Sequence, residues 1–329
     1  MKKLNKKGIR MIVIVLVVIA AIIGLNLLIF PHVKPLSVTG KYQISSTDYW
    51  LTEDKVDPYS KDGRKRQLQI RKWYPLECTE KKPVLIASHG SCGTIDNNVS
   101  LYRELASYGY IVLAVGHPGQ AAGIKYENGK FSGPSNDFLK EMTSLNPEKN
   151  PEKAYELFTK WMEIRIEDLN LVMDDYLKSE SQTKFLAFGH SLGGSAAYAM
   201  ARVRKDVVGC IAFESPFMYD VKGVKDGEFI FDTSDYAIPV LNVYSDSSYA
   251  YLKTWKQYKN NELFLESGNP NYTNIYYEGV GHMGLCDLAL FSPVLASVFS
   301  GKIQKKNVRV QLQEINKDCL NWLKENLFY

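Results

Sequence analysis

The sequence predicts an α/β domain built on a mostly parallel, doubly wound sheet and preceded by one apolar N-terminal helix. Short apolar runs rich in β-branched residues alternate with helical patterns, and this order is typical of parallel α/β sheets. Most of the runs are apolar throughout, as expected when helices cover both faces of a strand. The 329 residues also provide enough chain for one large core.

The individual elements follow from these patterns. Strands of the parallel sheet are predicted at 83–90, 110–118, 184–191, 207–215, 239–246 and 273–279, and an antiparallel edge strand at 66–75. Helices are predicted at 99–109, 161–177, in the Gly/Ala-rich stretch after Leu192, and at 308–327. Segments 31–62 and 119–150 do not fit the alternation. The second is polar and long for a connection, so it is either a cap beside the site or a surface insertion.

The first thirty residues carry a separate signal. Five of the 40 Lys and Arg residues lie within the first ten positions, with no acidic residue among them. The rest of the chain contains the other Lys and Arg residues and all 36 acidic residues, and these two groups nearly balance. It therefore has no surplus of positive charge with which to bind nucleic acid. Residues 11–30 are uncharged and apolar apart from Asn26. A helix of that length spans the roughly 30 Å hydrocarbon core of a membrane.

These features predict the domain organisation. We expect 1–10 to be a cytoplasmic basic segment, 11–30 an uncleaved transmembrane signal anchor, 31–62 a linker and N-terminal extension, and 63–329 the main domain on the outer side of the cell membrane. A cleaved signal peptide and an internal core helix are the alternatives. The apolar run exceeds the roughly 7–15 residues usual in a signal peptide and has no Ala-x-Ala site. The five scattered cysteines predict neither a disulfide framework nor a zinc site.

One motif carries the chemistry. Gly189-His190-Ser191-Leu192-Gly193-Gly194 directly follows a predicted strand and begins a predicted helix. In that context Gly-x-Ser-x-Gly predicts a nucleophile elbow, in which the serine occupies a strained turn whose flanking positions must be small. The N-terminus of the following helix favours the negative charge that develops there.

A serine nucleophile needs a base and an acid, which follow it along the chain in the order acid, then histidine. His282 is the only histidine after Ser191, so it is the predicted general base. The acid holds the histidine tautomer and stabilises the imidazolium. Glu214 and Asp246 each end an apolar strand, and the pattern alone slightly favours Asp246.

The same chemistry needs two backbone N–H groups that bind the developing oxyanion. One normally belongs to the residue after the nucleophile, here Leu192. The second is expected from the loop after the first central strand, which makes Ser91 the candidate. No metal or other cofactor is expected.

From about Arg66 to the C-terminus the chain resembles α/β-hydrolases of the platelet-activating factor acetylhydrolase type, the group of the plasma and type II intracellular enzymes. The resemblance rests on Trp73-Tyr74-Pro75, ASHG at 87–90, ASYGYIVLAVGHP at 106–118, GHSLGG at 189–194, CIAFESPFM at 210–218, PVLNVYSD at 239–246 and VGHMGLCDLALFSP at 280–293. It implies an α/β-hydrolase fold and metal-independent cleavage of short or oxidised acyl chains from phospholipids.

The resemblance also bears on the site residues. The family's acid lies in the block that is CIAFESPFM here, which shifts the preference to Glu214 over Asp246, although the family has Asp at that position. The family's oxyanion donors correspond to the Ser91 and Leu192 amides. Residues 116–119 read Gly-His-Pro-Gly where the family has a more charged turn, so the substrate range is expected to differ.

The expected function is therefore that of a membrane-anchored serine ester hydrolase whose partners are a small ester or lipid substrate and the membrane. Two alternatives stay open. The chain could be a general carboxylesterase, lipase or dienelactone-hydrolase-like enzyme, or it could be a non-catalytic binding module on a hydrolase scaffold.

Overall fold

A sheet of eight strands organises the main domain in the computed structural model, which describes residues 6–301 and 305–326. Its strands are β1 (Ile44–Val56), β2 (Lys65–Pro75), β3 (Val84–Ser88), β4 (Val112–Gly116), β5 (Phe185–His190), β6 (Val207–Phe213), β7 (Val240–Ser245) and β8 (Tyr272–Tyr277). They lie in the order β1-β2-β4-β3-β5-β6-β7-β8. Strand β2 is antiparallel to both of its neighbours, and every other pair in the sheet is parallel. The predicted fold class is confirmed for the sheet.

Helices alternate with most of the strands. They are α1 (Lys6–Ile29), α2 (Val99–Ser107), α3 (Asn136–Ser144), α4 (Pro151–Ser179), α5 (Leu192–Val203), α6 (Lys259–Glu266), α7 (Leu288–Phe291), α8 (Pro293–Ser300) and α9 (Val308–Asn326). Helix α4 begins ten residues before its predicted start. Asn150 caps it by accepting a 3.0 Å hydrogen bond from the Lys153 amide, and Pro151 occupies the first turn, where its missing N–H costs nothing.

The helices cover both faces of the sheet. In β3, Leu85 and Ala87 point into a core shared with α2 and α9, whereas Val84 and Ile86 point into a second core shared with α4 and α5. All four side chains are almost completely buried. Burial on alternating sides explains why the central strands carry apolar residues on both faces, and it removes this apolar surface from water.

The two segments that broke the alternation contain structure of their own. Segment 31–62 holds β1, an edge strand whose residues are mostly polar because only one face packs on the core, through Tyr49 and Leu51. Segment 119–150 holds a short hairpin, Ile124–Lys125 with Phe131–Ser132, followed by α3. A second hairpin pairs Val221–Lys225 with Glu228–Phe231.

The predicted anchor overlaps helix α1. Part of the predicted basic segment 1–10 lies outside the described residues. A search of the described residues finds no helix that combines the length and the apolar character needed to cross a membrane.

The parallel strands place the site. Because β3, β5, β6 and β7 run in the same direction, their carboxyl ends lie along one edge of the sheet. The backbone ladder continues one residue past two of these ends: the Ser191 amide donates to the Phe213 carbonyl at 2.8 Å, and the Glu214 amide donates to the Val243 carbonyl at 2.7 Å. Ser191 and Glu214 are therefore held on neighbouring strand ends.

Candidate active site

Ser191 occupies a sharp turn between β5 and α5. Its backbone has φ 55° and ψ −126°, a combination that costs a non-glycine residue free energy and is typical of functional turns. The backbone carbonyl of Ser191 accepts hydrogen bonds from the Gly194 amide at 2.9 Å and from the Ser215 hydroxyl at 2.7 Å. The predicted strand–serine–helix arrangement is present in the structure.

Small residues are required around this turn because three backbone segments meet there. A Cβ atom at Gly189 would overlap the Gly193 carbonyl, and one at Gly194 would overlap the Ser215 hydroxyl. On the opposite side, a Cβ atom at Gly90 would lie 3.2 Å from the Cβ of Ser191. The loop after β3 therefore packs directly on the serine.

His282 lies in the loop after β8 and begins a short 3₁₀ helix, His282–Leu285. Its amide donates to the Ser247 hydroxyl at 2.9 Å, and its carbonyl oxygen lies 3.1 Å from Nε2 of His190. The two imidazole rings pack with their centroids 4.6 Å apart. Burial lowers the pKa of His282 to about 4, so the ring is neutral at physiological pH, as a general base must be.

The two candidate acids occupy different surroundings. Glu214 is buried and accepts hydrogen bonds from the Ser245 amide at 2.6 Å and the Ser245 hydroxyl at 2.9 Å. Asp246 is half-buried, and its Oδ1 accepts from the Tyr276 hydroxyl at 2.6 Å and the Gly279 amide at 3.1 Å. Asp246 thus supports the turn that leads to His282.

One cavity of about 230 Å³ brings the predicted residues together. Ser191, His282, Glu214, Ser91 and Leu192 all line it. Among the described contacts, no direct hydrogen bond joins the side chains of Ser191, His282 and Glu214. Such bonds are often long without substrate and shorten when it binds.

The two predicted oxyanion donors come from different elements, helix α5 and the loop after β3. Leu192 is the first residue of α5, so its amide has no partner within the helix. In the loop after β3, the Cys92 amide donates to the Gln120 carbonyl at 2.9 Å and the Gly93 amide donates to the Gly90 carbonyl at 3.0 Å. The amide of Ser91, which precedes these two residues, donates to no acceptor among the described residues.

The cavity walls contain residues that the sequence did not single out. They come from the 119–150 segment, from α4 and from the region after β6: Met142, Leu145, Pro147, Phe158, Trp161, Pro216 and Met218. Helix α3 is held against α4 by Glu141, whose carboxylate accepts from Nε1 of Trp161 at 2.8 Å and from Nζ of Lys160 at 2.5 Å. Segment 119–150 therefore contributes to the cavity wall.

A buried polar network lies behind the loop after β3. His117 contacts Asp168 through Nδ1 at 2.7 Å and the Ser88 hydroxyl through Nε2 at 2.9 Å. Arg66 binds both carboxylate oxygens of Asp168, at 2.6 and 2.7 Å. Among the described residues, no group of His, Cys, Asp or Glu side chains is arranged to hold a metal ion.

The fold and the cavity at the serine define the class: the chain is an α/β hydrolase by fold. A ferulic acid esterase from Streptomyces cinnamoneus superposes with a TM-score of 0.63 at 17% identity, over 88% of this chain and 92% of the esterase. A dienelactone hydrolase-like promiscuous phosphotriesterase from metagenomic libraries superposes with a TM-score of 0.52 at 13% identity, over 85% of this chain and 98% of that one. At such identities the similarity establishes the fold alone.

Sequence comparison makes the assignment more specific. Residues 63–167 match the model of the family described as platelet-activating factor acetylhydrolase, isoform II. A probable 1-alkyl-2-acetylglycerophosphocholine esterase of Arthroderma benhamiae is 28% identical over 114 residues, which are 35% of this chain and 26% of the relative. The chain thus spans about a quarter of that relative's length. The expected resemblance to the platelet-activating factor acetylhydrolases is confirmed over residues 63–167 of this chain, and the fold of the main domain is that of the α/β hydrolases.

The surroundings of Glu214 generate a prediction about stability. Burial raises the pKa of Glu214 to about 7 in the folded state, against about 4.5 ordinarily. The folded chain therefore binds more protons at this group than the unfolded chain between those pH values, so this group's contribution to stability decreases as the pH rises through that window. Glu214→Gln cannot titrate, so its unfolding free energy relative to wild type should rise by on the order of 3 kcal/mol from pH 4.5 to 8.

Urea unfolding at a series of pH values measures this difference, and Asp246→Asn is the matched control. The test is how the difference in unfolding free energy between variant and wild type changes with pH. Effects of the substitution other than the lost titration shift stability by the same amount at every pH. A Glu214→Gln curve parallel to wild type across this range would contradict the assigned environment.

Proposed function

We propose that this chain is a membrane-anchored serine ester hydrolase that acts on short-chain carboxylic esters, including acyl esters at the sn-2 position of phospholipids. The observation that carries the proposal is the cavity that Ser191, at the strained turn between β5 and α5, lines together with His282, Glu214, Ser91 and Leu192. The family match and the similarity to an acetylglycerophosphocholine esterase support the reaction class.

The proposed mechanism assigns one role to each group. Ser191 attacks the ester carbonyl while neutral His282 removes its proton, and His282 then protonates the leaving alcohol. Glu214 orients His282 and stabilises its imidazolium. The amides of Ser91 and Leu192 bind the oxyanion, and water releases the acid from the acyl-enzyme.

The cavity supports a small apolar acyl group. Its volume of about 230 Å³ lies below the range of roughly 300–1,000 Å³ typical of sites for drug-sized ligands. Met142, Leu145, Phe158 and Trp161 give its wall an apolar surface. A long acyl chain would require these side chains to move apart, so we expect esters of short acids to be preferred.

A second candidate is a dienelactone-hydrolase-like or general carboxylesterase activity. The superposition on a dienelactone hydrolase-like protein, at a TM-score of 0.52, favours keeping it. A substrate panel separates the two: p-nitrophenyl esters of increasing length and dienelactone are compared with 1-alkyl-2-acetylglycerophosphocholine. Preference for the phospholipid supports the first proposal.

The nucleophile is tested by Ser191→Ala in the full-length chain. Since Ser191 is the proposed nucleophile, hydrolysis of p-nitrophenyl acetate should fall by at least about 10³-fold, and labelling by a fluorophosphonate should disappear. Ser195→Ala is the matched control, because Ser195 lies in the same helix and donates to the Pro216 carbonyl. Labelling that survives in Ser191→Ala, or a wild-type chain that neither hydrolyses nor labels, would refute the proposal.

The acid is tested by comparing Glu214→Gln with Asp246→Asn. Only Glu214 shares the cavity with Ser191 and His282. Its amide variant should therefore lose orders of magnitude in kcat, whereas Asp246→Asn should lose less than about tenfold. A large loss confined to Asp246→Asn would reverse the assignment.

Membrane anchoring is the part of the proposal that rests on the N-terminus. The support is an uncharged apolar run at 11–30 preceded by five basic residues, together with the exposure of apolar side chains along α1, including Ile14, Val17 and Leu28. The basic flank favours a cytoplasmic N-terminus and an external catalytic domain.

Two charges in the apolar run test the anchor. Leu16→Arg combined with Ile19→Arg should move the chain from the membrane pellet to the soluble fraction, because each arginine costs about 2.5–3.5 kcal/mol at the centre of a membrane helix. Val294→Arg, at an exposed apolar position outside the run, is the control. Protease added to intact cells should cleave the wild-type catalytic domain. A wild-type chain found in the soluble fraction would contradict the anchor.

A further inference from the structure

Arg165 is a buried cation inside helix α4, behind the loop that carries the Ser91 amide. Its side chain is completely buried. Nε donates to Oε1 of Gln120 at 2.6 Å, and Nη1 donates both to the Ser88 hydroxyl at 2.9 Å and to the His89 carbonyl at 2.5 Å. The guanidinium therefore bonds to the end of β3 and to the first residue of the loop.

Arg165 also reaches the far side of the loop through Gln120. The Gln120 backbone carbonyl accepts the 2.9 Å hydrogen bond from the Cys92 amide, and its side chain is fixed by Arg165. Cys92 has φ 52°, a left-handed conformation that a non-glycine residue holds only when its surroundings enforce it. Ser91 lies between the two anchored residues, His89 and Cys92.

Among the residues that the structure describes, no carboxylate bonds directly to Arg165. Arg66 takes both oxygens of Asp168 and one of Asp57, whereas the recorded partners of Arg165 are all uncharged. Nη2 has no hydrogen-bond partner among the described residues. Burial lowers the pKa of Arg165 to about 9, so the group still carries its charge at neutral pH.

From these contacts we infer that Arg165 is a positioning residue for the oxyanion site, an inference that rests on the proposed function. Arg165 anchors the loop at residues on both sides of Ser91, so that the Ser91 amide points toward the oxyanion. It also places a positive charge behind the loop, whose other side faces the developing negative charge. Preorganised donors of this kind stabilise the transition state more than the bound substrate, so the effect should fall on kcat.

Arg165→Met and Arg165→Lys in the full-length chain test the inference with p-nitrophenyl acetate. Arg165→Met should lower kcat by roughly 10²–10³-fold with KM changed by less than about threefold, the size of effect seen when one oxyanion donor is lost. Arg165→Lys keeps the charge without the planar fork and should recover part of the loss. The rate of phosphonylation of Ser191 should fall in parallel.

Arg202→Met separates positioning from general stability. Arg202 bonds to Asp220 and Ser234 near the other end of α5, so its loss should lower stability while kcat is kept.

If Arg165→Met does not fold, Gln120→Met removes one acceptor of Arg165 and should lower kcat by roughly tenfold at unchanged KM. A folded Arg165 or Gln120 variant with wild-type kcat, or a loss no larger than that of Arg202→Met, would overturn the inference. A wild-type chain without esterase activity would instead refute the proposed function.

Discussion

The strained turn at Ser191 is the constraint on which the rest of the site depends. It exists because β5 ends at a backbone conformation that only tight packing can enforce, with φ 55° at the serine. That packing requires glycine at 189 and 194, where a side chain would overlap neighbouring atoms. It also requires the ladder hydrogen bond from the Ser191 amide to Phe213 on the next strand. The sheet therefore fixes the position of the nucleophile before any side chain of the site is considered.

The other groups reach the serine from neighbouring strand ends. Glu214 follows β6 and is fixed by two hydrogen bonds from Ser245 at the end of β7. His282 comes from the loop after β8, whose turn is held by Asp246. Asp246, the other candidate acid, thus supports the turn that leads to His282. The loop after β3, the proposed source of one oxyanion donor, packs on a buried polar network in which Arg165 bonds to Ser88 and His89.

The sequence predicted the parts of this arrangement that depend on local pattern. Strand runs such as 185–188 are apolar throughout because both of their faces are covered, and the elbow motif follows this run directly. Strand β1 was missed, since an edge strand with one packed face is mostly polar. Helix α4 was predicted at 161–177 but begins at Pro151, and the charged Arg165 within it is completely buried. A charged residue among apolar helix positions was the available signal for the network. The choice between Glu214 and Asp246 depends on the orientation of strand ends in space, which a linear pattern does not contain.

The central claim is that the serine, the two amides and the cavity form one acyl-transfer site. The most direct test is an experimental structure of the full-length chain after reaction with a fluorophosphonate. The account predicts a single adduct on Ser191 whose phosphonyl oxygen lies about 3 Å from both the Ser91 and Leu192 amide nitrogens. An adduct on another residue, or one on Ser191 whose oxygen points away from both amides, would contradict it.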